Sequence, residues 1–237
     1  MDHFRNMLST HDSFKALIIG SSGAIGSAFV EHLSNLTHCA SVIGLHRHSS
    51  PAIDYKDPAS IELAAQTLQD QGPFQLIIVS TGVLHNESWL PEKKLADVSA
   101  AQFLENMQIN ALGPALCIQA FGSLLDPAGS VMACVSAKVG SIEDNRLGGW
   151  YSYRSSKAAL NMMIKTAAIE LKRTHPNHCL IALHPGTVAS HLSRPFKGDQ
   201  IGRSPQDATS DMLKVLLGLS AKDTGRFLSY QGEEIPW

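Results

Sequence analysis

The sequence predicts an α/β protein: a doubly wound parallel sheet with helices on both faces. Three observations carry this reading. Short runs that are apolar throughout alternate with longer segments of helical periodicity. Strands without polar alternation are buried on both faces, and strands alternating with helices imply parallel crossover units. A glycine-rich turn joins the first apolar run to the first helical segment, at the strand end where such sheets bind ligands. No repeat or linker-like shift in composition divides the 237 residues, so one domain over 1–237 is expected.

Residues 16–19 are the first strand and meet Gly20. Residues 24–36 follow as a helix, with Ile25, Phe29, Leu33 and Leu36 on one face. Apolar runs at 41–45, 52–54, 74–79, 130–135, 179–183 and 225–229 supply six further strands. Helices are expected over 61–68, 103–125, 153–172 and 207–219. The 153–172 helix is apolar over more of its circumference than one core face requires, with Met162 and Met163 beside Ala158, Ala159 and Leu160. Part of it is therefore expected to be covered in a homodimer or homotetramer.

Composition narrows the function. The chain is 44% hydrophobic and 17% charged with a formal net charge of -2, which suits a globular protein and neither a nucleic-acid binder nor a polybasic membrane-surface protein. Cys39, Cys117, Cys134 and Cys179 are scattered without a CxxC pair, so they read as small buried hydrophobes in a reducing compartment. The opening segment carries Asp2, Arg5, Asp12 and Lys15 and lacks a signal peptide's apolar run, and no stretch approaches the roughly 18 apolar residues of a membrane span. A cytoplasmic location is expected. The eleven histidines include no HExxH pair, and no G-x-S-x-G elbow is present, so neither a metal site nor a hydrolase triad is expected.

The turn Gly20-Ser21-Ser22-Gly23-Ala24-Ile25-Gly26 is built for a pyrophosphate. Gly20 makes the tight turn, Gly23 lets phosphate approach the backbone, and Gly26 lets helix and strand pack closely, while the helix N-terminus offers N–H donors. Gly20, Ser22, Gly23, Ile25 and Gly26 are the candidate contacts of this Rossmann-type turn. Where an acid would hold a ribose 2′-hydroxyl, the second strand ends in Leu45-His46-Arg47-His48. Arg47 suits a 2′-phosphate, so NADP(H) is expected over NAD(H). Asp54 is placed to accept from the adenine amino group, or else simply initiates a turn.

Tyr153-Arg154-Ser155-Ser156-Lys157 opens the strongest helix, and residues four apart share a helical face. A neighbouring ammonium and the positive nicotinamide ring both favour phenolate and lower the phenol pKa from near 10, so Tyr153 is expected to exchange a proton with a carbonyl/alcohol pair as hydride moves. Tyr151 has Ser155 at the matching position and does not qualify.

Together these motifs resemble the short-chain dehydrogenase/reductase family over nearly the whole chain. GSSGAIG, the segment around Asn110, YRSSK and His184-Pro185-Gly186-Thr187-Val188 occur in that family's order. The stretch 139–157 and the closing Glu234-Ile235-Pro236-Trp237 are similar to the C-factor/sniffer-like carbonyl reductases. The resemblance implies that the main-chain carbonyl of Asn110 holds a water in a proton relay through Lys157. Pro114, four residues on, lacks the N–H that would occupy that carbonyl. It implies that Pro185, Gly186, Thr187 and Val188 contact the nicotinamide amide, with Ser190 near a usual hydroxyl position. It places Ser80-Thr81-Gly82 where the family has Asn-Ala-Gly, a departure in which the two hydroxyls stand as replacement donors. Aligned on the family's Ser-Ser pair, Ala137 falls at the catalytic serine position, leaving Ser136 or Ser141 to serve, with Ser136 favoured.

The expected activity is hydride transfer between NADP(H) and a small carbonyl or alcohol substrate. The alternative is an NADP(H)-binding regulatory or signalling protein with little turnover. An epimerase or dehydratase is disfavoured by the short C-terminal region. The segment 189–204, where a substrate lid belongs, mixes Leu192, Pro195 and Phe196 with His191, Arg194 and Lys197 and does not name a substrate.

Overall fold

The computed structural model describes residues 13–237; the rest of the opening segment lies outside the described residues. The chain runs β1 (Phe14–Ile19), α1 (Ala24–Ser34), β2 (Cys39–Leu45), α2 (Pro58–Thr67), β3 (Leu76–Val79), α3 (Ala100–Met107), α4 (Gly113–Phe121), β4 (Ser130–Val135), α5 (Tyr151–Thr174), β5 (His178–His184), α6 (Gly198–Ile201), α7 (Pro205–Leu217) and β6 (Phe227–Ser229). One six-stranded sheet has the order β2-β1-β3-β4-β5-β6, and every neighbouring pair is parallel. The chain turns outward from β1 to β2 and then returns to the other side of β1 with β3. That reversal is the switch point where doubly wound sheets bind ligands.

Alternation along β1 divides the core. Leu17 and Ile19 face the layer containing α2, α4 and α5, while Ala16 and Ile18 face the layer containing α1 and α7. Phe29, Phe74, Phe121 and Phe227 are fully buried between these layers and the sheet. Each contributes roughly 1.5–3 kcal/mol of burial energy. Among the described residues no helix is long and apolar enough to cross a membrane.

Two expectations are corrected. Residues 52–54 are not a strand: Asp54 makes only an isolated antiparallel bridge with Asp57, and the Asp54 carboxylate accepts from Lys56 N–H at 2.9 Å. This side-chain turn competes with ladder pairing. The short apolar run instead reports Ile53 and Tyr55 turning into the core. The single helix read over 103–125 is α3 and α4 joined by a π-helical turn, Gln108–Leu112. There the Gly113 N–H reaches back to the Gln108 carbonyl, and Pro114, without an N–H, opens α4.

Candidate active site

The glycine turn leaves β1 with Gly20 at φ +91°, a conformation L side chains rarely adopt. A Cβ on Gly20 would lie 2.9 Å from Thr81 Cγ2, and one on Gly26 would lie 2.2 Å from the Gly20 carbonyl oxygen. Both glycines are thus required by close approach. Gly23 stands at the N-cap of α1, and no acidic side chain occupies the first turn. Ser22 and Gly23 are exposed there, while Ile25 packs on the α1/α7 core.

Beyond β2, Arg47 is exposed and has no ion-pair partner among the described residues. Asp54 is half-buried, and its main-chain N–H donates to the Ser60 hydroxyl at 2.9 Å. The Ile53 N–H donates to the His46 carbonyl at 3.1 Å, tying the Asp54 segment to the end of β2.

The Ser-Thr-Gly sequence after β3 has work for both hydroxyls. Ser80 donates to the Ile19 carbonyl at 3.0 Å and so braces the glycine turn. Thr81 donates to the Tyr55 hydroxyl at 2.8 Å. Tyr55 is buried, its hydroxyl lies 3.4 Å from Cys117 Sγ, and its ring fills the space that a Cβ on Gly113 would claim. Gln108 donates to the Tyr55 carbonyl at 2.9 Å. Tyr55 therefore links the segment after β2, the end of β3 and the π-turn.

Asn110 sits in that π-turn, fully buried. Its Oδ1 accepts from Val83 N–H and its Nδ2 donates to the Val83 carbonyl, both at 2.8 Å. Nδ2 also lies 3.0 Å from Ser156 Oγ, whose own proton goes to the Tyr153 carbonyl at 2.8 Å. The asparagine side chain is thus a structural clasp between the β3 exit and the first turns of α5.

Tyr153 and Lys157 occupy the buried face of α5. Lys157 Nζ donates to the Val135 carbonyl at 3.0 Å, and a Cβ on Gly82 would lie 3.7 Å from that nitrogen. The ammonium therefore spans from α5 to the ends of β3 and β4. Burial lowers its pKa to about 8, partly opposed by Cys134. Burial likewise pushes the Tyr153 phenol up. The YxxxK spacing and a bound nicotinamide ring predict a lowered phenol; with the protein's own groups alone, burial raises it.

The two serines weighed for the carbonyl-orienting role are both buried and both engaged. Ser136 Oγ donates to Asn161 Oδ1 at 2.6 Å. Ser141 Oγ donates to the Trp237 carbonyl at 3.3 Å and accepts from Asp144 N–H at 3.1 Å. Ala137 follows Ser136 at the N-cap of a 3-10 turn. After β5, Pro185 and Val188 are buried, Gly186 turns at φ +75° against the Tyr230 ring, and Thr187 is exposed. Ser190 donates to the Val188 carbonyl at 3.3 Å.

Several neighbours of the site carry no signal in the sequence. Trp150 meets the Tyr153 ring at 6.1 Å and the Phe196 ring at 4.9 Å. His85 lies 6.1 Å from Phe196 and donates to the His191 carbonyl at 3.1 Å. These rings form a wall from the phenol to the 189–204 segment. Asn161 was accessible in principle, since it lies one helical step of four beyond Lys157. Tyr55 and the Trp150–Phe196 contact join segments distant in sequence, and no local pattern marks them.

A glycine-rich turn at the switch point of a doubly wound parallel sheet, with a buried tyrosine and lysine on the helix after β4, is the architecture of a Rossmann-type oxidoreductase. Comparison with known proteins agrees. The profile of the family described as Enoyl-(Acyl carrier protein) reductase matches residues 33–211. A 1-hydroxy-2-glutathionyl-2-methyl-3-butene dehydrogenase of Rhodococcus sp. (strain AD45) is 32% identical over 79% of this chain and 79% of its own. C-signal of Myxococcus xanthus is 36% identical over 70% of this chain and 94% of its own. Among solved structures, an NADPH-bound carbonyl reductase from chicken fatty liver superposes with a TM-score of 0.82 at 26% identity, covering 96% of this chain and 95% of that one. The chain belongs to the short-chain dehydrogenase/reductase family and is an oxidoreductase of that family.

Proposed function

We propose that the protein is an NADPH-dependent carbonyl reductase in which Tyr153 delivers the proton. The observation that carries this reading is the pair of buried side chains on one face of α5, Tyr153 and Lys157, with the lysine Nζ reaching the ends of β3 and β4. Bound NADPH supplies the hydride. The turn suits that cofactor, because Ser22 and Gly23 are exposed at the start of α1 and its first turn carries no competing acid. Gly20, Ser22, Gly23, Ile25 and Gly26 hold the pyrophosphate, Arg47 the 2′-phosphate and Asp54 the adenine. Ser80, Thr81 and Gly82 line the ribose, and Pro185, Gly186, Thr187 and Val188 hold the nicotinamide amide.

On the carbonyl side, Tyr153 donates its hydroxyl to the oxygen of the bound substrate and passes the proton as charge develops there. Lys157 stabilises the phenolate left behind, and the Asn110 carbonyl in the π-turn orients a water for reprotonation. Ser136 is the remaining hydroxyl beside the oxygen. With its proton on Asn161 it must rotate before it can donate. Trp150 and Phe196 wall the site with aromatic surface, which favours an apolar substrate face. The chain functions as one domain in the cytoplasm, as a homodimer or homotetramer covering the exposed Met162, Met163 and Ile169 of α5.

A second reading keeps the cofactor site but little turnover, as a regulatory NADP(H)-binding protein. The alanine at position 137 and the engaged Ser136 hydroxyl favour it. The deciding experiment is NADPH and NADH oxidation across a panel of aldehydes, ketones and quinones, together with dissociation constants for both cofactors. Turnover with NADPH, and an NADPH preference that falls at least tenfold in Arg47→Glu, supports the reductase. Tight NADPH binding with no oxidation by any carbonyl supports the second reading.

A further inference from the structure

The loop between β3 and α3 carries a buried acidic residue that the chemistry above does not use. Glu92 is 2% exposed. Its carboxylate accepts from the Ser152 N–H at 3.2 Å and also from the Ser152 hydroxyl. Its main-chain carbonyl accepts from the Trp150 N–H at 2.6 Å. One residue thus takes two backbone donors at the start of α5, the helix whose first turn carries Tyr153. Trp150, at the N-cap, has no side-chain acceptor for that turn. The donors left over at a helix start need partners, and an acidic group suits the positive end of the helix dipole.

The approach to the helix requires such a hold. Gly148, Gly149 and Trp150 have φ of +63°, +66° and +53° in succession. The glycines adopt this conformation freely, but the tryptophan does so only where its surroundings determine it. The Glu92 carbonyl fixes its N–H, and Phe196 packs on its ring at 4.9 Å. The same ring meets Tyr153 edge to face at 6.1 Å.

We propose that Glu92 is a positioning residue for Tyr153: its grip on Trp150 and Ser152 fixes the first turn of α5, and with it the aim of the phenol and the aromatic wall beside it. The proposal rests on Tyr153 as the proton donor. Without the carboxylate, the Ser152 N–H and hydroxyl lose their acceptor and the first turn frays, while the main-chain bond from Trp150 to residue 92 remains. A displacement of about 1 Å at a reacting group costs on the order of 10²-fold in rate.

The test uses the full chain with Glu92→Ala and Glu92→Gln. Three quantities are read: turnover of NADPH with 4-nitrobenzaldehyde, the NADPH dissociation constant, and amide hydrogen exchange along α5. In Glu92→Ala, kcat falls at least tenfold while NADPH affinity stays within about twofold, because the cofactor cradle is built from other residues. Exchange in 148–156 rises at least tenfold, and exchange in 160–172 does not change. Glu92→Gln recovers kcat to within about threefold, since its oxygen accepts from the Ser152 N–H and its amide donates to the Ser152 oxygen. Unchanged kcat and exchange in Glu92→Ala overturn the proposal. So does exchange raised throughout the chain with a parallel loss of NADPH affinity, or a Glu92→Gln variant as slow as Glu92→Ala. If the native protein binds NADPH but does not turn over the aldehyde, the proton-donor reading fails separately, and the exchange pattern alone decides whether Glu92 holds the turn.

Discussion

Lys157 Nζ donates to the carbonyl of Val135, the last residue of β4, at 3.0 Å, and burial brings its pKa down to about 8. A reaction that needs the ammonium must therefore weaken as pH rises through that value. The rate of carbonyl reduction is expected to be level below about pH 8 and to fall above it. In Lys157→Met the falling limb is lost along with most of the rate. A kcat/KM profile from pH 6 to 10 for both proteins checks this. A native profile without a limb near 8 speaks against a role for the charged lysine.

The Asn110 side chain satisfies both backbone groups of Val83 and reaches Ser156. Replacing it with leucine leaves buried N–H and C=O groups without partners, which costs about 1–3 kcal/mol for each group. Asn110→Leu should lower the urea midpoint accordingly and slow turnover, because the β3 exit and α5 lose their link. Equilibrium unfolding followed by circular dichroism measures the first effect, and a stability equal to the native protein's contradicts the clasp.

Ser136 has its proton on Asn161, and Ala137 follows it. If the hydroxyl keeps that partner in the working enzyme, Ser136→Ala lowers kcat less than about threefold, against the 10²–10³-fold lost when an oxyanion donor is removed. Ala137→Ser should raise kcat by about tenfold by adding the hydroxyl the family places there. Steady-state kinetics of the two variants separates the cases: a hundredfold loss in Ser136→Ala means that its hydroxyl rotates onto the carbonyl.

His184 accepts from the Lys138 N–H at 3.3 Å, and burial lowers its pKa to about 4. Between that value and an unfolded pKa near 6.5 the unfolded chain binds the extra proton. Stability contributed by the neutral ring is thus complete above pH 6.5 and is lost as pH falls toward 4, at up to about 1.4 kcal/mol per pH unit. His178, also shifted down by burial, adds in the same direction. His184→Gln should flatten the unfolding free energy between pH 6.5 and 4; urea midpoints at half-unit pH steps test it, and an unaltered slope refutes it.

Much of this architecture is legible locally. Gly20 and Gly26 announce the tight strand-to-helix turn because close approach of neighbouring protein atoms excludes any other residue, and the buried strands announce themselves by continuous apolar runs. Residues 52–54 mislead for the same reason: a short apolar run records burial of Ile53 and Tyr55, and pairing depends on a neighbour that the run does not specify. Pro114 signals that helix geometry changes near Asn110, yet not that the change is a π-turn. The roles of Thr81, Ser136 and Ser152 depend on Tyr55, Asn161 and Glu92, partners brought close only by the fold. The phenol's raised pKa is equally a product of burial, which the YxxxK spacing does not encode.

Substitution of Tyr153 by phenylalanine removes a single oxygen from the site and leaves the nucleotide cradle untouched. NADPH should bind this variant with native affinity, while oxidation of the bound cofactor by an aldehyde should drop by at least a thousandfold. Retention of native turnover in Tyr153→Phe would mean that the proton comes from elsewhere, and would contradict Tyr153 as the donor.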